Sequence, residues 1–143
     1  AEYIPFKLYH YRRFIGSESH SYKENIVDDA VTAIGKYREI LDEFYHNRPD
    51  MEELYEYRKL WEVLYCVVLK PAHINNPATY KKRKEQFKEI VSIEEFRNAL
   101  DTRDINRLGK MHRILAKNIK NGHFRTICLL THMENLLNKV KFR

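Results

Sequence analysis

A chain of 143 residues with 43% apolar and 32% charged content is long enough for one domain with a real core, and its composition is neither that of a disordered tail nor that of a disulfide scaffold. The formal net charge of +6 comes from 26 basic and 20 acidic residues spread along the chain, which favours an anionic contact without demanding nucleic acid. The longest apolar run, around Val63 to Leu69, falls far short of the roughly 20 residues of a spanning helix, and Tyr3-Ile4-Pro5-Phe6-Lys7 lacks the pattern of a signal peptide, so a cytoplasmic location is expected.

In chain order, Phe6 to Ile15 is the one strand-like segment. A lone strand leaves its backbone donors and acceptors without partners in this chain, so residues 1–15 read as an extended segment joined to something larger, and residues 16–143 as a helical domain. Gly16-Ser17-Glu18-Ser19-His20 is a turn. Ser21-Tyr22-Lys23-Glu24 has the spacing of a capping box and predicts a helix from Tyr22. Ile26, Ala30, Ala33 or Ile34, Tyr37, Ile40 or Leu41, and Phe44 then recur at the helical period up to Asn47-Arg48-Pro49.

Pro49 opens a second helix, with Asp50, Glu52 and Glu53 near the positive end of its dipole. Its stripe, Met51, Leu54, Tyr55, Arg58, Trp61, Leu64, Tyr65, Val68 and Leu69, widens to nearly all-round apolar by Cys66, which predicts a buried C-terminal half. Lys70-Pro71 ends it. Asn76-Pro77 reads as the cap and first residue of a third helix through Tyr80 and Phe87 to about Ile90. Ser92-Ile93-Glu94-Glu95, a second capping box, predicts a short helix through Phe96, Ala99 and Leu100. Ile105, Leu108, Met111 or His112, Leu115 and Ile119 trace the next helix, ended at Asn121-Gly122, and the last carries Phe124, Ile127, Cys128, Leu130 or Thr131, Leu137 and Val140. The fold class is therefore all-α, a bundle or array of about six helices preceded by one short N-terminal extended segment.

Little of this carries chemistry. The four glycines stand singly, which excludes a Gly-rich phosphate loop. Asp28 and Asp29 point in different directions on a helix and hold no metal. Cys66 and Cys128 lie in apolar helical runs and read as free core thiols. Lys81-Lys82-Arg83-Lys84 reads as a solvated helix face. The closing run Lys139 to Arg143 reads as a frayed terminus, with contact to an anionic membrane as the other option.

Beside a simple helical protein-interaction module, suggested by the aromatic residues, two Arg and His pairs supply the one enzymatic alternative. Arg125 and His132 are separated by six residues and Arg107 and His112 by four, which resembles the spacing of helical HEPN ribonucleases, where such a pair stabilises a phosphate and moves protons at the 2'-hydroxyl. The match is partial: Leu108 stands where that family has a polar residue after the Arg, and Thr126 is a weak substitute after Arg125. Arg13 and His20 show the same gap across a turn, where it has no helical meaning.

The segment Leu8-Tyr9-His10-Tyr11-Arg12-Arg13-Phe14-Ile15-Gly16-Ser17-Glu18-Ser19-His20-Ser21, followed by a long helix, resembles the stretch just after the catalytic core of bacterial family 2 glycosyltransferases. Ile114 to Arg125, a basic helix and Gly turn, and the following Leu129-Leu130 are similar to the C-terminal portion of those enzymes. The resemblance implies an accessory domain, itself non-catalytic, of an enzyme that uses nucleotide-sugar donors to build cell-surface polysaccharide or glycolipid. No catalytic or metal-binding residue is then expected in this chain, and the nucleotide-sugar and a divalent metal belong to a missing upstream domain. Tyr9, Tyr11, Arg12 and Arg13 would form the interdomain contact. The implied partners are that catalytic domain of the same polypeptide, a second copy of the chain, and the anionic inner membrane face; nucleic acid is not among them.

Overall fold

A computed structural model describes residues 21–45 and 48–141, with side chains through Met133. Six helices follow in order: α1 Ile26–Phe44, α2 Pro49–Leu69, α3 Tyr80–Ser92, α4 Glu94–Thr102, α5 Lys110–Lys120 and α6 Phe124–Lys141, with a 3₁₀ turn at Ile105–Arg107 before α5. No strand occurs among the described residues, and the fold is all-α. The expected extended segment 1–15 lies outside the described residues.

Helix α2 touches each of the other five helices. That position explains its pattern: Leu60, Val63, Leu64, Cys66, Val67 and Leu69 are all buried, so its C-terminal half needs apolar residues on every side. The other helices cover it with one face each. Ile26, Ala30 and Ile34 come from α1, Phe87 and Ile90 from α3, Phe96, Ala99 and Leu100 from α4, Ala116 and Ile119 from α5, and Phe124 and Ile127 from α6. Each large side chain in this set stabilises the fold by about 1.5–3 kcal/mol through burial. Glu62, buried on α2, pairs with Arg58 one turn earlier.

Pro49 stands at the start of α2, with Asp50 and Glu52 in the first turn, as expected. The starts of α1, α3 and α4 differ from the sequence reading, and near each of them polar groups of the expected cap make other bonds. Helix α1 begins at Ile26, not Tyr22, and Asn25 makes no side-chain cap. The residues before it are tied to the far end of α2: the Lys23 amide donates to the Leu69 carbonyl at 3.1 Å, and Lys70 Nζ donates to the Glu24 carbonyl at 2.6 Å. Tyr22 hydroxyl donates to the Glu24 carboxylate, and its ring lies 6.1 Å from that of His73.

Helix α3 begins at Tyr80, with Thr79 as its cap. Asn76 instead organises the loop: Nδ2 donates to the Lys70 carbonyl at 2.7 Å and to Gln86 Oε1 at 3.2 Å, and Oδ1 accepts from the Ala78 amide at 2.9 Å. Ser92 belongs to the end of α3, donating to the Glu89 carbonyl at 2.7 Å, and α4 starts at Glu94 without a side-chain cap.

The helix expected from Ile105 to Ile119 is broken at Leu108-Gly109. Asp104 Oδ1 accepts from the Asn106 amide at 2.9 Å and closes the 3₁₀ turn, Gly109 takes the cap position of α5, and Arg113 donates to the carbonyls of Asn106 at 3.0 Å and Leu108 at 3.2 Å. Gly122, with φ of 70°, makes the left-handed turn into α6 that a Cβ would disfavour. The Gly122 and His123 amides satisfy the last α5 carbonyls, at 3.0 Å to Ile119 and 2.9 Å to Asn118.

Candidate functional site

The two Arg and His pairs end in different situations. Arg107 lies in the 3₁₀ turn and His112 in α5, so no single helix sets their spacing. Glu53 of α2 pairs with the Arg107 guanidinium and pushes it further toward its charged form, while the guanidinium carbon stands 5.5 Å from the centre of the Tyr57 ring. His112 packs edge-on against Trp61 with ring centres 4.6 Å apart. Both side chains are thus engaged with α2.

Arg125 and His132 are both exposed on α6. Seven residues are almost two helical turns, so they share a face, about 10 Å apart along the axis. Tyr9, Tyr11, Arg12 and Arg13 lie outside the described residues, as do the side chains of Lys139 and Lys141 and the whole of Phe142 and Arg143.

The basic run at the start of α3 divides by role. Lys81, Lys82 and Lys84 are exposed. Arg83 turns inward and donates to the Pro71 carbonyl at 2.6 Å, with Cys128 Sγ at 3.7 Å. Both cysteines are free. Burial pushes the Cys66 thiol up to about 12, and its sulfur lies 3.7 Å from the Ile26 carbonyl oxygen. Burial also raises Cys128, an effect Arg83 partly offsets. A thiol so raised is neither a nucleophile nor a ready metal ligand at neutral pH.

Among the described residues no cluster of His, Cys, Asp and Glu is arranged to hold a metal ion, and no described helix is long and apolar enough to cross a membrane. A shallow cleft of about 290 Å³ opens between α1, the end of α2 and α3, with Asp28 and Glu89 at its sides and Val27, Ile90 and Ile93 along it. Its polar groups are partly committed, Lys70 to the Glu24 carbonyl and Gln86 to Asn76.

Sequence reading missed the pairing of Trp61 with His112, which brings together helices 51 positions apart, and the inward role of Arg83. It also missed Asn76 as a loop organiser, for which the Asn-Pro dipeptide was a usable signal. What the fold defines is an all-α bundle around one central helix. Against known proteins, the chain matches no family model, no curated protein and no solved structure.

Proposed function

We propose that this chain is a helical domain that works by contact and not by chemistry, as the C-terminal accessory region of a bacterial family 2 glycosyltransferase. Its roles would be to brace the nucleotide-sugar domain, shape the acceptor side or join two copies. The likeness of Leu8 to Ser21 and of Ile114 to Arg125 to those enzymes supplies the parentage. The observation that carries the reading is the attachment of residues 22–24 to the end of α2, through Lys23 to Leu69 and Lys70 to Glu24. This anchorage supports it because a domain placed before residue 21 would meet the bundle at its best-packed helix. Nucleotide-sugar and divalent metal are assigned to that upstream domain.

The test is the reading frame and its product. A nucleotide-sugar domain must precede this segment in the coding sequence, and the whole enzyme must lose sugar transfer when Lys23→Pro and Lys70→Ala loosen the anchorage. A reading frame without such a domain refutes the proposal.

The shared face of Arg125 and His132 favours a second reading, a helical ribonuclease. RNA cleaved by the intact chain and spared by His132→Ala would support it; RNA left intact by the unaltered chain removes it.

A further inference from the structure

The outward face of α6 carries side chains that the bundle does not use for packing. Arg125, Leu129, His132 and Met133 recur at helical spacing on one side, while Phe124, Ile127 and Thr131 on the other side are buried. Leu129 is 59% exposed and Met133 51%. Two large apolar side chains one turn apart in water, with a cation one turn before them, form an amphipathic stripe of the kind that lies in a membrane interface.

The surroundings are basic. From Lys110 to Met133 the chain has five Lys and Arg residues and no Asp or Glu. Of these Lys110, Lys117, Lys120 and Arg125 are exposed, Lys120 while paired with Asp101 at 3.2 Å, and Arg113 is spent on carbonyls. Helix α3 adds more. The half-exposed Tyr80 sets its ring at a tilt 5.6 Å from that of Phe124, and Arg83 reaches Cys128, so the exposed Lys81 and Lys84 are sequence neighbours of residues in contact with the start of α6. The charge is also divided along the chain: residues 21–80 hold seven basic and eleven acidic residues, and residues 81–133 thirteen and six.

We propose that the outer face of α6, in the acid-free stretch from Lys110 to Met133 formed by the packed pair α5 and α6, docks on an anionic lipid bilayer. Leu129 and Met133 enter the boundary between headgroups and acyl chains, and Arg125 with the exposed lysines of α5 meets lipid phosphates. Bilayer is favoured over nucleic acid because Leu129 and Met133 have neither a ring to stack on a base nor a donor for its edge. The proposal rests on this surface alone and not on the parent enzyme proposed above.

The test is flotation of the full chain with vesicles of phosphatidylglycerol and phosphatidylcholine, against phosphatidylcholine alone. Binding is expected only to the anionic vesicles and is weakened by salt. Leu129→Ser with Met133→Ser should weaken it about tenfold, and Arg125→Gln about fivefold, with circular dichroism unchanged because all three side chains are exposed. Lys139→Gln, Lys141→Gln and Arg143→Gln together separate the terminal run from the helix face. The proposal is overturned by absence of binding to anionic vesicles, by unchanged binding of the serine variant, or by loss confined to the terminal variant. Binding to single-stranded RNA that is weakened by Arg125→Gln but indifferent to the serine pair, without binding to vesicles, would also overturn it.

Discussion

Replacing Phe124 by alanine tests how α6 is held. The Phe124 ring is 2% exposed and lies between Phe87, centres 5.1 Å apart and nearly parallel, and Tyr80 at 5.6 Å. A buried aromatic side chain removes roughly 150–250 Å² from water, and at about 25 cal/mol per Å² the whole ring stabilises the fold by about 4–6 kcal/mol. Alanine keeps part of that area, and neighbours relax partly into the space, which places the loss at about 3–5 kcal/mol. Urea unfolding followed by far-ultraviolet circular dichroism should show the midpoint falling by about 1 M or more. Leu129→Ala, on the same helix but largely exposed, should leave the midpoint almost in place. A cycle pairing Phe124→Ala with Phe87→Ala should reveal a coupling of about 0.5–1.5 kcal/mol. A midpoint for Phe124→Ala as small in its shift as that for Leu129→Ala would refute the packing of Tyr80 and Phe87 of α3 on α6.

Cys66, raised to about 12 by burial, stays protonated in the folded chain where the unfolded thiol ionises. Its contribution is therefore fully present below the unfolded value and falls as pH rises from about 9 toward 12, by about 1.4 kcal/mol per unit; a Cys66→Ala variant should show a shallower alkaline loss in urea titrations. In thiol labelling at neutral pH, Cys128 should react well before Cys66, and equal rates would contradict their difference in burial. Asn76→Ala removes three hydrogen bonds made by a buried side chain and should cost about 2–3 kcal/mol in the same unfolding assay. Gly122→Ala meets open space but sits at positive φ, so backbone strain alone should cost about 1–2 kcal/mol.

The helices were legible where one face had one job. The broad stripe of α2 announced a buried C-terminal half because a central helix needs apolar residues all round. The stripe of α1 was half misleading: Ile26, Ala30, Ile34 and Leu41 are buried, yet Tyr37, Ile40 and Phe44 remain exposed, since periodicity records amphipathic character and not whether a neighbour arrives. Capping signals at Ser21, Asn76 and Ser92 marked real boundaries but misplaced them by a few residues, because the same hydroxyl, amide and backbone groups were drawn into other bonds. The Arg107 and His112 spacing failed as a helical motif at Gly109. Engagement of those residues by Glu53, Tyr57 and Trp61 is a product of tertiary packing and leaves no local pattern.

The fastening of residues 22–24 to the end of α2 also sets how the bundle bears load. A pull on the chain before Ser21 does not peel α1 away from its first turn. It is taken first by the Lys23 to Leu69 and Lys70 to Glu24 bonds, which join the two ends of the α1 and α2 hairpin. Tension is thereby handed directly to the helix that touches all the others.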